Sequence, residues 1–456
     1  MKGYAPLKNG GYVLKEFEAR LAEASPETIL REGRQRKLSV VELPGARVYV
    51  KTFFDDAGLL GLVRRGRYRA RREFKNLVRA FEIGVPVPRP IALVEARNGG
   101  AVWTEELAGM RTLRSVFEQP MDFPTRTSFL SGLGRFLRDV HDRGFYHEDL
   151  HAGNILVDGS RFAVVDLAGV SFAGKPLPKA QRVESLTIVL TSFQVFLNMT
   201  DYVRVLRAYG LGERGVWNTM ARRLVELRAR FVDYRAKKSE GAGSSFVKKG
   251  KWLVFQEIDV EPPRMENFST WTPVGDGLIA RTFPTGKLAR RWWVQSWKLK
   301  YNLITAPLGV MWNGRTIVAR RDPRWLPAAG EVERPRPDRK AFLGDLGRFL
   351  RRLHDLGVSI PDLHVEDILY LEVGPGRFRF GLSDPSRADC VVEPDRAREL
   401  GSLAASVDLS RTEGLRVMKA YAGWSRDYLR KSFLAAVGRG RDAGLKRQAE
   451  RKQHGR

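Results

Sequence analysis

The chain repeats itself, and the repeat limits what it can fold into. Residues 129–156 and 342–369 align without a gap at an offset of 213 and share 16 of 28 residues. That period is far longer than the repeats of solenoids, so each copy reads as a domain in its own right. A chain of 456 residues has room for two such units.

The shared block has a readable local structure. In the first copy Phe129, Leu130, Leu133, Phe136, Leu137 and Val140 recur with helical spacing, and Gly144 is placed to end the helix. A polar loop follows, "GFYHEDLHAGNIL" (144–156), then two short strands about the Asp158-Gly159 turn. The second copy predicts the same helix, the loop "GVSIPDLHVEDIL" (357–369), and strands about "VGPG" (373–376).

Upstream of the first block, "KLSVVELPGARVYVKTF" predicts a hairpin turning at Pro44-Gly45, with Lys51 near its end. "RYRARREFKNLVRAFEIG" predicts a basic helix ended by Gly84, and two strands follow across Asn98-Gly99. The expected fold class is therefore α+β, with tandem bilobal units, each an antiparallel-sheet N-lobe followed by a mainly helical C-lobe. The first unit is expected over 1–235, its N-lobe at about 28–107 and its C-lobe at about 108–235. "RAKKSEGAGSSFVKKGK" marks a Gly/Ser/Lys linker at 236–251. The second unit is then expected over 252–437, with a basic tail at 438–456, frayed or partly helical.

The polar loop and its surroundings suit one chemistry. The order is a strand lysine, a helix glutamate, His-x-Asp with an asparagine five residues after the aspartate, a hairpin, then Asp-Leu-Ala. Phosphoryl transfer from Mg·ATP needs this set. Lys51 would neutralise the α- and β-phosphates and Glu73 would hold it forward. Asp149 would orient the attacking hydroxyl and accept its proton. Asn154 and Asp166 are oxygen ligands suited to Mg²⁺. A strand-end lysine is usually just solvated, and a glutamate on a basic helix usually pairs with a neighbouring arginine. The ordered combination, not either residue alone, points to catalysis. His147 has two readings, a brace for the loop around the metal-binding aspartate or a direct catalytic group. His151 is left open between a substrate contact and a backbone contact. Zinc held by His141, His147 and His151 is disfavoured, since no cysteine lies close.

These same stretches, "VYVKTF", "ARREFKNLVRAFEIGVPVPRPIAL" and "GFYHEDLHAGNILV…AVVDLAG", resemble the bacterial lipopolysaccharide kinase family. That family comprises the heptose and Kdo kinases of the lipopolysaccharide inner core and their relatives, with a protein-kinase-like fold. The resemblance covers roughly residues 28–205. It implies ATP and Mg²⁺ as cofactors, Lys51 as the ATP lysine, Glu73 as its partner, and Asp149 as the catalytic aspartate. Asn154 and Asp166 become the magnesium ligands, and Glu105 to Leu107 the adenine-facing hinge. One departure stands out. No G-x-G-x-x-G precedes Lys51, and "LREGRQRKLSVVEL" holds the single glycine Gly33 among basic residues. A basic turn covering the phosphates is the expectation from the resemblance.

The second copy departs further. "LIARTF" puts Arg281 where Lys51 stands, and "RRWWVQSWKLKYNL" offers no carboxylate to match Glu73. Asp362 and Asp384 persist, Asp367 replaces Asn154, and Ile360-Pro361 replaces His147-Glu148. Arginine is not a conservative substitute for a phosphate-positioning lysine. This unit is expected to be a degenerate kinase-like domain. Residual nucleotide binding through its three aspartates, and a purely structural loop, stay open as alternatives. Its "ARRWWVQSWKLK" (289–300) reads either as a surface for anionic lipid or glycan or as core packing of Trp292, Trp293 and Trp297.

Charge narrows the partners. Lys and Arg exceed Asp and Glu, 79 against 52, for a net +27. Such a chain is drawn to polyanions. The expected acceptor is a phosphorylated glycolipid or lipopolysaccharide, with peripheral binding to an anionic membrane surface. Nucleic acid is not expected, because no aromatic RNA-binding signature is present. The single cysteine, Cys390, fits a reducing compartment, and "MKGYAPLKNGGYVLKEFEAR" lacks an apolar signal region. "SLTIVLTSFQVFL" (185–197) is too short and too polar to span a bilayer and is expected as a buried helix. The expected location is the cytoplasm, with attachment at the inner membrane. The competing functions are a kinase-like enzyme acting on a protein or small metabolite, and a non-catalytic scaffold.

Overall fold

A computed structural model describes residues 3–7, 10–33, 35–55, 65–96, 98–243, 245–258, 260–263, 267–391, 393–423 and 430–453. The chain divides into two compact units, Met1–Leu224 and Val225–Arg456.

The first unit opens with β1 (Tyr4–Pro6), β2 (Gly11–Leu14), β3 (Thr28–Glu32), β4 (Arg36–Leu43) and β5 (Ala46–Phe54). Helix α1 (Arg65–Glu82) follows, then β6 (Pro90–Ala96) and β7 (Gly99–Glu105). The seven strands form one sheet in the order β1-β2-β6-β7-β5-β4-β3, with every neighbouring pair antiparallel. The Pro44-Gly45 hairpin forms as the sequence predicts, joining β4 to β5 with Leu43 opposite Ala46.

The rest of the first unit is mainly helical. It runs β8 (Arg111–Thr112), α2 (Leu113–Phe117), α3 (Phe123–Asp142), β9 (Phe145–His147), β10 (Ile155–Asp158), β11 (Arg161–Val164) and β12 (Val170–Phe172). Helices α4 (Lys179–Ser192) and α5 (Met199–Tyr209) follow, and the unit ends within α6 (Arg214–Lys237). The Asp122 side chain caps α3 by accepting from the Thr125 N–H at 2.8 Å. Leu130, Leu133, Leu137 and Val140 of α3 are buried, and they share one apolar core with Phe53 of the sheet and Phe74 and Leu77 of α1. Of the stretch expected as a buried helix, 185–192 lies in α4, with Leu186, Val189 and Leu190 in that core, and the helix ends at Ser192. Among the described residues no helix is long and apolar enough to cross a membrane.

The second unit has its own sheet, built from β13 (Phe246–Lys249), β14 (Trp252–Phe255), β15 (Thr272–Gly275) and β16 (Leu278–Thr282). After α7 (Gly286–Tyr301) come β17 (Leu308–Trp312) and β18 (Thr316–Arg320). The sheet order is β13-β14-β17-β18-β16-β15. Matched from its centre, this is the order of the first sheet without, among the described residues, a counterpart of β3. The remainder runs β19 (Leu326–Pro327), α8 (Arg339–Asp355), β20 (Val358–Ser359), β21 (Ile368–Gly374), β22 (Arg377–Leu382) and β23 (Asp389–Cys390). It ends with α9 (Arg396–Ala405), α10 (Arg411–Ala422) and α11 (Lys431–Gln453).

Three boundaries differ from the sequence reading. The compact units divide within α6 at Leu224 and Val225, and the second half of this helix bonds within the second unit, where Arg228 Nε donates to Asn302 Oδ1 at 3.0 Å and Lys298 meets Asp233 at 2.6 Å. Residues 246–249, expected in the linker, form β13 and pair with β14 from Phe246↔Phe255 to Lys249↔Trp252. Lysine content hid the alternating pattern there. The expected tail is also largely helical: α11 runs to Gln453, and a Cβ on Gly401 of α9 would lie 2.6 Å from the Val437 carbonyl oxygen. The tryptophan-rich stretch is core, not surface. Trp292, Trp293 and Trp297 are at most 1% exposed, and Trp293 Nε1 donates to the Ser239 carbonyl at 2.9 Å.

The two units repeat one another in contacts as well as sequence. A Cβ on Gly134 of α3 would lie 2.4 Å from the Val205 carbonyl oxygen of α5, and one on Gly347 of α8 would lie 2.4 Å from Val417 of α10. Both positions need glycine for the same close helix crossing. In the first unit His141 Nδ1 lies 2.8 Å from the Tyr209 hydroxyl, while Arg182 bonds Asp142 at 2.6 Å. In the second, His354 Nδ1 lies 2.8 Å from the Tyr421 hydroxyl, and Arg396 bonds Asp355 at 3.1 Å.

Candidate active site

Lys51 sits on β5, an interior strand paired with Leu38 on one side and Val102 on the other. Strand alternation turns its side chain opposite to buried Val50, toward α1. There Nζ meets both oxygens of Glu73, at 3.0 and 2.9 Å. The same Nζ lies 2.8 Å from Asp166 Oδ1. Three residues separated by up to 115 positions thus converge on one amine.

Their electrostatics differ. Glu73 is 4% exposed. Burial drives its pKa up, and the attraction of Lys51 only partly opposes this. Burial also pushes Asp166 upward, but the Lys51 amine, its hydrogen bond and the Arg36 guanidinium outweigh it and hold Asp166 below the usual carboxylate range. Asp166 has φ 64° and ψ 61°, a left-handed conformation unusual for a non-glycine residue. Such strain is characteristic of residues whose position matters more than their comfort.

The loop at 144–156 is held from within. Gly144, with φ +71°, leaves room for the Lys175 carbonyl oxygen 2.4 Å from where a Cβ would stand. His147 is buried, and its Nδ1 accepts the Asp149 N–H at 3.1 Å. Burial lowers the His147 pKa, despite the Asp166 and Asp149 carboxylates, so the ring stays neutral. That is the bracing arrangement of the two readings. Asn154 Nδ2 donates to the Asp149 carbonyl at 3.0 Å, which leaves its Oδ1 as the side-chain acceptor. Asp149 itself is largely exposed, and its Oδ2 lies 3.8 Å from His151 Nε2. His151 Nδ1 accepts the Gly153 N–H at 3.0 Å, a backbone contact that puts its proton on Nε2.

The expected hinge follows directly on β7. Glu105 ends β7 opposite Val48, and the Glu106 N–H donates to Arg47 O at 2.9 Å. Leu107 lines a groove of about 1050 Å³ with Met110, Phe129, Phe136 and Phe162. None of the lysine, aspartate and asparagine residues of the cluster lines that groove. One residue escaped the sequence reading. Arg36, the first residue of β4, brings Nη1 to 3.7 Å from Asp166 Oδ2. Its only sequence signal was membership of the basic turn that stands where a glycine-rich loop was expected.

Comparison with known proteins adds the family. Residues 28–209 match the model of the lipopolysaccharide kinase (Kdo/WaaP) family. Over these residues the first unit is similar to this family. A 3-deoxy-D-manno-octulosonic acid kinase of Actinobacillus succinogenes is 32% identical over 135 residues, 26% of this chain and 54% of that protein. One from Stenotrophomonas maltophilia is 29% identical over 166 residues, covering 33% of this chain and 62% of that protein. The chain spans about half the length of the first of these relatives. Two solved structures are similar. A WaaP in complex with acyl carrier protein is 24% identical, with a TM-score of 0.36, covering 46% of this chain and 92% of that one. An aminoglycoside-3'-phosphotransferase of type VIII is 16% identical, with a TM-score of 0.33, covering 44% of this chain and 90% of that one.

In the second unit arginines engage two of the three aspartates, Asp362 and Asp367. Asp362, with φ 54°, accepts Arg398 Nη2 at 3.2 Å and Arg447 Nη2 at 2.9 Å on its side chain. Its carbonyl accepts Arg387 Nη2 at 2.9 Å, and Arg387 Nη1 lies 2.8 Å from Asp367 Oδ1. Asp384 Oδ1 accepts from the Ser386 N–H at 2.9 Å and its hydroxyl at 2.8 Å. Arg281 lies over the Phe283 ring at 5.2 Å, and its buried Nε makes no hydrogen bond among the described residues.

Proposed function

We propose that this protein is an ATP-dependent phosphotransferase that phosphorylates a sugar hydroxyl of lipopolysaccharide core, or of a related glycolipid, at the cytoplasmic membrane face. The observation that carries the reading is Lys51 held between buried Glu73 and Asp166, beside a loop presenting an exposed Asp149. Lys51 is positioned to neutralise phosphate oxygens, and Glu73 keeps it forward. Asp149 orients the acceptor hydroxyl; as the new O–P bond forms and ADP leaves, it takes the hydroxyl proton. His147 acts by fixing the Asp149 backbone.

The donor set suits magnesium. Asn154 offers a carbonyl oxygen and Asp166 an ionised carboxylate, and Mg²⁺ is typically held by one or two such groups together with substrate phosphates. Among the described residues no group of three or more His, Cys, Asp or Glu could hold a metal ion, which argues against an all-protein cage. Asn154 and Asp166 would hold magnesium there, and it would supply positive charge to offset that of the phosphates.

The second unit is read as a degenerate copy, since arginines occupy the Asp362 and Asp367 carboxylates and Arg281 replaces the lysine. The net charge of +27 supports recruitment to a phosphorylated acceptor in an anionic surface. The deciding experiment incubates full-length protein with labelled ATP and purified lipopolysaccharide fractions, then maps the modified sugar. Asp149→Ala should abolish transfer and Asp362→Ala should leave most of it. Equal loss in both variants would sink the division of labour, and no labelled glycolipid from the unaltered protein would sink the acceptor.

A further inference from the structure

The site has a cation that the motif does not provide for. Glycine-rich loops cover phosphates with backbone N–H groups, which glycine allows to approach closely. The β3–β4 turn cannot work that way through its one glycine, because the Gly33 N–H already donates to the Arg36 carbonyl at 2.9 Å. What the turn delivers to the site is a side chain. Arg36 lies opposite Phe53 in the β4–β5 register, two residues along from Lys51, and its Nη1 approaches Asp166 Oδ2 while Lys51 holds Oδ1. The turn is fastened on two sides. The Phe54 N–H donates to the Gln35 carbonyl at 3.0 Å, and Arg69 Nη1 of α1 donates to Gln35 Oε1 at 3.3 Å.

The Arg36–Asp166 pair is weak by construction. At 3.7 Å, with the Arg36 side chain 60% exposed, it is long and solvent-screened. A guanidinium so held can leave a carboxylate for a better anion, and its planar fork suits two phosphate oxygens at once. The second unit gives a contrast within the same chain. Its sheet keeps the strand order of the first but, among the described residues, has no strand beyond β15 to correspond to β3. Strand β3 goes with the copy that also keeps Lys51, Glu73 and Asp166.

We propose that Arg36 is the phosphate-covering group of this site: it exchanges Asp166 for the β- and γ-phosphate oxygens of the bound nucleoside triphosphate, replacing the amides of a glycine-rich loop with one guanidinium. This inference rests on the phosphotransferase reading of the first unit. It concerns binding of the nucleotide's phosphates, so it is tested by affinity rather than turnover. Titration calorimetry on the full-length protein with Mg²⁺ would compare a non-hydrolysable ATP analogue, ADP, AMP and adenosine. Arg36→Ala should weaken the ATP analogue about tenfold or more, ADP less, and adenosine not at all. Arg36→Lys should recover part of the loss, since it keeps the charge without the fork.

Two results would overturn the assignment. One is an Arg36→Ala protein that binds the ATP analogue as tightly as the unaltered chain. The other is an equal loss for adenosine and the ATP analogue, which would mean that the hairpin, not a phosphate contact, had been disturbed. Failure of the underlying reading looks different. There the unaltered protein would bind no adenine nucleotide, and the role of Arg36 would fall with it.

Discussion

At the scale of single residues, the same side-chain type is used in opposite ways a few ångströms apart. Glu73 is buried with a raised pKa, so its ionised form depends on Lys51, whereas Asp166 is held ionised by two cations. Removing Lys51 would therefore cost less in folding than a buried broken pair usually does, because Glu73 can take up a proton. His141 makes the opposite case, a titratable group kept neutral for structure. Burial, reinforced by Arg182, pushes its pKa down to about 4, while its ring nitrogens meet Tyr209 and Ser185. An unfolded chain would protonate this histidine near its ordinary value of about 6.5. Between these values the unfolded state binds the extra proton, so the His141 contribution is complete above about pH 6.5 and is lost as pH falls toward 4. The loss is on the order of 3 kcal/mol. Urea midpoints measured by circular dichroism at pH 7 and pH 5 should differ by less in His141→Gln than in the unaltered protein. Equal pH dependence in the two would remove His141 as the source.

At the scale of elements, glycine sets the spacing of the helical lobes. Gly134 and Gly347 occupy equivalent positions of α3 and α8, and a methyl group at either would meet a backbone carbonyl at 2.4 Å. Neither neighbour is a flexible side-chain tip, so the helices must separate. Gly134→Ala and Gly347→Ala should each destabilise their own unit by about 1–3 kcal/mol. In chemical denaturation followed by limited proteolysis, the first should loosen fragments from 1–224 and the second fragments from 225–456. Both changes behaving as neutral would mean the close crossings do not matter. These helices were legible in the sequence, as were the hairpins and the Lys51, Glu73, Asp149, Asn154 and Asp166 set, because each lies on a periodic element or in a loop of fixed spacing. What was hidden depends on contacts made across the fold. The Arg36 approach to Asp166 spans 130 positions and follows no local period. Strand β13 was masked by lysines in a glycine- and serine-rich setting, and the Trp292, Trp293 and Trp297 helix carried enough arginine to resemble a surface.

At the scale of the whole molecule, the two units differ in what engages their aspartates. In the first unit Asp166 faces Lys51 and a loosely held Arg36, leaving an oxygen that a metal ion can claim. In the second, Arg387 bridges Asp367 and the Asp362 carbonyl, while Arg398 and Arg447 engage the Asp362 carboxylate. A divalent cation entering there would have to displace guanidinium groups already at hydrogen-bond distance, and would gain neither a lysine for the phosphates nor a glutamate to support one. Charge therefore opposes a second nucleotide even though three aspartates remain. The full-length protein should bind one Mg·nucleotide per chain in equilibrium dialysis with a labelled, non-hydrolysable ATP analogue. Asp166→Asn should remove nearly all of that binding. Arg387→Ala should not restore it in the Asp166→Asn background, because Arg281 still stands where the phosphate lysine would be. Two equivalents per chain, or one equivalent surviving Asp166→Asn, would instead make the second unit a nucleotide site, and its arginines would then be ligands for phosphate.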